Sequence, residues 1–163
     1  MEIKVNGWGL YWLPILKKRI DKLEKTVTAR KEKNTDTYLE HKSTLELALY
    51  FEILYKLVPA YPDNEHFNIS NYIGKKYNLF RRVKKPLPPR YRMFFAFSPE
   101  LKKIVYVWMN GKKHIRSAGD FNDVYEAFKR KLASKKIPYV FTGLLADSKD
   151  FETKLEEILP KEN

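Results

Sequence analysis

Three observations on the 163-residue sequence predict an α+β fold. Two stretches with helical apolar spacing come first. A run of alternating residues punctuated by turn signals follows, and another helical stretch comes after it. Elements segregated in this order, rather than alternating, give two N-terminal helices, an antiparallel sheet of about four strands, and C-terminal helices. The length suits one domain with a substantial core, and 44% hydrophobic and 15% aromatic residues supply the material for it.

The elements follow in turn. Residues 1–12, with Gly7, Trp8, Gly9, Tyr11 and Trp12, read as an ordered arm or short strand. Pro14 sits where a first helical turn tolerates proline. Leu16, Ile20, Leu23 and Val27 then mark an amphipathic helix over 14–32. Asn34 and Thr35 close it and offer a cap for the next. Leu47, Phe51, Leu54 and Val58 share a face of a second helix over 36–58, stopped by Pro59 and Pro62. Residues 79–84 form a short strand, and Pro86, Pro88 and Pro89 a stiff loop. Residues 90–98 alternate, with Tyr91, Met93, Phe95 and Phe97 on one face. Ser98-Pro99-Glu100 turns the chain. The returning strand, 103–109, puts Val105, Val107 and Met109 together. Asn110-Gly111 predicts a tight turn into a further strand at 112–118. Val124, Phe128 and Leu132 mark a helix over 121–135, ended by Pro138, and a polar helix is expected at 148–159.

Charge is the most informative feature. The chain carries +12, and so does the segment 75–116 alone, which holds thirteen Lys and Arg against one acid, Glu100. The remainder is neutral. A basic segment within an aromatic-rich folded region points to a polyanion, nucleic acid foremost. Lys75, Lys76, Arg81, Lys85, Arg90, Lys112 and Lys113 are the candidate RNA-binding residues. No apolar run approaches the about 20 residues that span a bilayer, and the N-terminus does not read as a signal peptide. No membrane association and a cytoplasmic location are therefore expected. Zero Cys removes disulfides, thiolate metal sites and cysteine nucleophiles.

Metal chemistry finds few ligands, since His41, His66 and His114 are scattered and the basic segment has a single acid. No Walker loop, dinucleotide fingerprint or G-x-S-x-G elbow is present. No metal and no cofactor are expected. The remaining inventory of Arg, Lys, Tyr and one His suits cleavage of RNA without a metal. There the 2′-hydroxyl attacks the adjacent phosphate, so a proton must be removed, a dianionic phosphorane stabilised and the leaving 5′-oxygen protonated. Guanidinium groups match phosphorane oxygens in bidentate geometry. Arg82 with Lys84, and Arg90 with Arg92, lie two apart on short strands, and Arg116 comes from beyond the Asn-Gly pair.

The chain resembles the YhaV-type toxins, a branch of the RelE superfamily of bacterial type II toxin–antitoxin systems. The matching blocks are Val5-Asn6-Gly7-Trp8-Gly9-Leu10-Tyr11, Arg82-Val83-Lys84, Arg90-Tyr91-Arg92-Met93-Phe94-Phe95 and Trp108-Met109-Asn110. Arg116, Gly119, Asp123, Tyr125, Phe128 and Leu132 follow in order. The resemblance implies a single RelE-like toxin domain over 1–163, with residues 1–12 as an arm and 136–163 as a C-terminal extension. It implies an mRNA endoribonuclease that acts at or near the ribosome, arrests translation and is neutralised by a cognate antitoxin. Carried onto matching positions, the basic groove comprises Arg82, Lys84, Arg92 and Arg116. His114 or Tyr125 is then the candidate proton donor. The rival reading is a non-catalytic RNA- or ribosome-binding module on the same basic sheet, or an inactive toxin homologue.

Overall fold

The computed structural model describes residues 2–151. The chain begins with a hairpin of β1 (Lys4–Val5) and β2 (Trp8–Trp12). Its two-residue turn is Asn6 (φ 51°) and Gly7 (φ 84°), the left-handed pair a type I′ turn requires. Helix α1 (Pro14–Lys33) starts on its proline and buries Leu16, Ile20 and Val27. Its last turn carries Arg30, Lys31 and Lys33, where cations complement the helix dipole.

The second helical stretch is not one regular helix. A 3-10 turn (Tyr38–Glu40) precedes α2 (Lys42–Glu52), which passes through a π-turn (Ile53–Leu57) into the short α3 (Val58–Ala60). The His41 ring caps α2 by accepting from the Ser43 amide, 3.1 Å. Proline and tyrosine account for the local bonding of the π-turn. The Val58 amide donates to the Ile53 carbonyl, and Pro59 has no N–H. Neither the ordinary nor the π-type donor is therefore free for the Leu54 carbonyl. The hydroxyl of fully buried Tyr106 donates to it instead, 2.7 Å.

Three strands and two helices complete the main architecture: β3 (Arg81–Val83), β4 (Met93–Ser98), β5 (Lys103–Met109), α4 (Val124–Ala133) and α5 (Phe141–Asp147). A last short strand, β6 (Lys149–Asp150), follows. The sheet order is β1-β2-β5-β4-β3, with β6 sharing the β1 edge of β2. The β2–β5 pair is parallel, so the six-stranded sheet is mixed, whereas an antiparallel sheet of about four strands was expected. The N-terminal arm is the cause. Leu10 and Trp12 enter one core and Tyr11 the other, a demand met only inside the sheet.

Both sheet faces are covered. α1 and the α2–α3 stretch pack Leu16, Ile20, Leu47, Leu54 and Val58 against Met93, Phe95, Ile104 and Tyr106. On the other face, Val124, Phe128 and Leu132 of α4 meet Phe94, Ala96, Val105, Val107 and Trp108. Phe128 stacks on Phe94 with centroids 4.0 Å apart. A bulge interrupts the β4–β5 ladder, where Phe94 pairs with Trp108 but Phe95 with Tyr106, leaving Val107 unpaired. Met109 thereby returns to the Tyr106 face instead of sharing a face with Val105 and Val107.

Other departures cluster around the basic segment. β4 starts at Met93 rather than residue 90, because Arg90 adopts φ 72° and the Arg92 amide bonds to the Asn110 side chain. Asn110-Gly111 makes no tight turn, and the expected strand at 112–118 is a 3-10 turn, Lys112–His114. The Asn110 amide is fully buried, and its bonds to neighbouring loops hold the chain there. α5 ends before residue 148, and β6 replaces the start of the helix expected at 148–159, since Phe151 is drawn into the core. Residues 152–159 of that expectation lie outside the described residues. Among the described residues, no helix is long and apolar enough to cross a membrane.

Tyr106→Phe keeps the ring and removes the donor to Leu54. It should lower stability by about 1–3 kcal/mol, the cost of an orphaned buried carbonyl, read from urea unfolding midpoints. An unchanged midpoint would show that the π-turn carbonyl does not need this donor.

Candidate nucleic-acid interface and active site

Three arginines from three parts of the chain converge on Tyr125. Val83 fills the core below β3, so its neighbour Arg82 points to the opposite face. Arg82 donates Nε–H to the Tyr125 oxygen at 2.9 Å and Nη1–H to the His66 carbonyl at 2.7 Å. Arg92, just before β4, donates Nε–H to the same oxygen at 3.2 Å and Nη1–H to the Tyr91 carbonyl at 2.8 Å. Arg116 donates to Asp123 Oδ1 at 2.7 Å, and its guanidinium lies 5.1 Å from the centre of the Tyr125 ring.

The local sequence explains how these groups are held. Asp123 caps α4, accepting from the Tyr125 amide at 3.0 Å and the Ser117 amide at 2.6 Å. That cap places Tyr125 in the first turn of the helix, its ring edge-on to Phe94. Asn110 ties the two basic loops together. Its Oδ1 accepts from the Arg92 amide at 2.8 Å, and its Nδ2 donates to the carbonyls of Arg90 and His114 at 3.2 and 2.9 Å. The Arg116 amide donates to the Arg90 carbonyl as well, 2.9 Å.

Charge balance within this cluster is incomplete. Arg92 is only 6% exposed, yet among the described residues neither it nor Arg82 pairs with a carboxylate. Among the described residues three guanidinium groups face one acid, Asp123, which leaves two positive charges uncompensated there. A buried cation without a partner is costly, so such an arrangement points to an anion supplied from outside. Tyr72, 47% exposed, covers the cluster: its ring stacks on Tyr125 at 4.7 Å and lies 4.7 Å from the Arg116 guanidinium.

The structure thus gathers Arg82, Arg92, Arg116 and Tyr125. Lys84 and Lys85 follow β3 into the proline loop and are exposed. Arg90 is exposed at the turn before Arg92, and Lys112 and Lys113 are exposed on the 3-10 turn. His114 does not join the cluster. It lines clefts of about 300 and 310 Å³ with Arg19, Trp108 and Lys131 on one side and Arg130 and Lys136 on the other. Lys76 leans over the rings of Tyr77 and Tyr139, and Arg81 is bound to the carbonyls of Asn78 and Phe80. Lys75 lines a separate cleft beside Arg81. Among the described residues, no group of three or more His, Cys, Asp or Glu is placed to hold a metal ion.

Sequence reasoning missed Tyr72, Asn110 and Asp123 as site residues. Asn110 and Asp123 stood in the recognised blocks, but a buried amide and a capping carboxylate become visible only once their loops meet. Tyr72 carried no signal at all.

Burial alone would raise the Asp123 carboxyl. The Arg116 hydrogen bond and the Ser117 and Tyr125 amides outweigh it and hold the group below the ordinary carboxylate value. Asp123 therefore contributes stability that is present above the unfolded value of about 4 and lost as pH falls through the lower folded value. Asp123→Asn keeps the shape but cannot titrate. The stability advantage of the unaltered protein over this variant should shrink below about pH 4, read from urea midpoints across pH. A gap that stays constant on acidification would contradict the pairing.

Comparison with known proteins places the sequence in a family. The family model described as a toxin with endonuclease activity, of a toxin–antitoxin system, matches residues 10–149. The toxin YhaV of Escherichia coli O6:H1 is 29% identical over 148 residues, spanning 90% of this chain and 96% of that protein. The ribonuclease toxin YhaV of Escherichia coli K12 is 31% identical over 130 residues, spanning 79% and 84%. No solved structure matches the chain significantly. With most of its length inside the family model, and with these relatives aligned across it, the chain belongs to the YhaV toxin family.

Proposed function

We propose that the protein is an endoribonuclease toxin that cleaves mRNA, at or near the ribosome, without a metal ion, and that a cognate antitoxin neutralises it. The observation that carries this reading is the pair of uncompensated positive charges at Tyr125, in a chain whose relative in Escherichia coli K12 is named a ribonuclease toxin. A phosphorane formed by 2′-oxygen attack is a dianion, and the uncompensated charge of Arg82 and Arg92, with Arg116 beside them, matches it in sign. The one acid in the cluster is committed to Arg116 and to the α4 cap, so it is poorly placed to bind a divalent ion.

The proposed reaction runs as follows. Arg82 positions the scissile phosphate. The 2′-hydroxyl loses its proton as the bond from O2′ to phosphorus forms, with Lys84 as base or electrostatic helper. Arg92 and Arg116 stabilise the phosphorane through N–H groups not used internally. The bond from phosphorus to O5′ breaks, the 5′-oxygen takes a proton, and the products end in a 2′,3′-cyclic phosphate and a 5′-hydroxyl. Tyr125 holds the Arg82 and Arg92 guanidinium groups in place, and its oxygen keeps one O–H to donate after accepting from both. Of the two proton-donor candidates it is the one within the cluster.

RNA incubated with purified protein in EDTA, with and without ribosomes, should yield those ends. Arg92→Ala should slow cleavage at least about 100-fold while RNA binding weakens far less, the pattern of a lost transition-state contact. Intact RNA under both conditions would overturn the enzyme reading. Equal losses of binding and cleavage in a folded Arg92→Ala protein would favour a simple RNA-binding module.

A further inference from the structure

A cleft of about 360 Å³ lies beside the arginine cluster without belonging to it, lined by Asn68, Ser70, Asn71, Asn78, Lys75 and Arg81. We infer that it is a nucleobase pocket, taking one base of single-stranded RNA next to the scissile phosphate and setting cleavage preference. This rests on the RNA-cleaving reading and adds a substrate contact to it.

The lining chemistry carries the inference. Three amides and a hydroxyl, all on exposed residues, share one cleft, and among the described residues no hydrogen bond within the protein occupies their side chains, which leaves them open to a ligand. An amide presents a donor and an acceptor side by side, the pattern that complements a base edge. Unpaired RNA bases offer such edges when splayed from the strand. Arg81 adds a buried Nε–H that has no acceptor, although its Nη1 is fixed on the Asn78 and Phe80 carbonyls.

Position links this cleft to the chemistry. Asn71 and Ile73, both in its lining, flank Tyr72, whose ring lies on Tyr125 and beside Arg116. One loop therefore borders both sites, as adjoining nucleotides of a single chain require. Ser70 (φ 63°) and Gly74 (φ 86°) bend that loop around the cleft.

The test measures binding apart from cleavage, using fluorescence anisotropy of labelled short homopolymers of rA, rC and rU. The unaltered protein should favour one base by about tenfold, and Asn71→Ala with Asn78→Ala should narrow the spread to about twofold while leaving the salt dependence unchanged. Equal affinity for all bases in the unaltered protein would overturn the pocket. So would discrimination that survives in the double variant, or an affinity loss equal for every base. Sequencing of cleavage ends separates the two readings. Cleavage with unaltered sequence preference in the variant rejects the pocket and leaves the nuclease. Base discrimination that the variant loses, in a protein that never cleaves, supports the pocket and rejects the nuclease.

Discussion

One phenolic oxygen receiving two guanidinium groups is the constraint on which the site depends. Arg82 and Arg92 repel each other, and burial makes that repulsion stronger than it would be in water. The Tyr125 oxygen gives each a hydrogen bond without supplying any charge. Carbonyls of His66 and Tyr91 take further N–H groups in the same neutral fashion. The arginines are thereby oriented but not neutralised, which is the condition for an electrostatic site that acts on an incoming phosphate. A carboxylate in place of the phenol would cancel much of that field.

The remaining architecture serves that arrangement. The Asp123 cap fixes where α4 begins, and so where Tyr125 stands, while the Phe128 stack on Phe94 fixes how α4 lies on the sheet. The bulge at Val107 lets both Val107 and Trp108 face α4. Immediately after β5, Asn110 spends its amide on the two basic loops, so Arg92 and Arg116 are set relative to each other by backbone bonds. Arg19 of α1 fastens the same corner, donating to the Met109 and Asn110 carbonyls at 3.0 and 2.7 Å.

Much of this was legible in the sequence where period alone decides. β5 lies where alternation placed it, and α1 and α4 fall within a few residues of their expected spans, since each buries one face. Period fails where a long-range bond overrides local preference. Asn-Gly occurs twice: at 6–7 it makes the two-residue turn its chemistry favours, and at 110–111 burial of the amide wins. The parallel pairing of β2 was hidden because a five-residue aromatic strand gives no sign of its partner's direction. Among candidate site residues, clustered charge drew attention to Arg82, Arg92 and Arg116. The same criterion also selected His114, which the Lys112–His114 turn carries to a different cleft, and passed over uncharged Tyr72.

The net charge of +12 is thus less informative as a total than as a distribution. Most of the basic segment is exposed and suits non-specific attraction of a polyanion, whereas Arg92 is buried at Tyr125 and, among the described residues, neither it nor half-buried Arg82 pairs with a carboxylate. The central claim is that these buried charges stabilise attack by the RNA's own 2′-hydroxyl. The most direct measurement is cleavage of an RNA carrying a single 2′-deoxy nucleotide immediately 5′ of the scissile phosphate. The account predicts that this bond stays intact while other sites in the same molecule are cut. Cleavage at the deoxy position, at the rate of the all-ribose control, would contradict it.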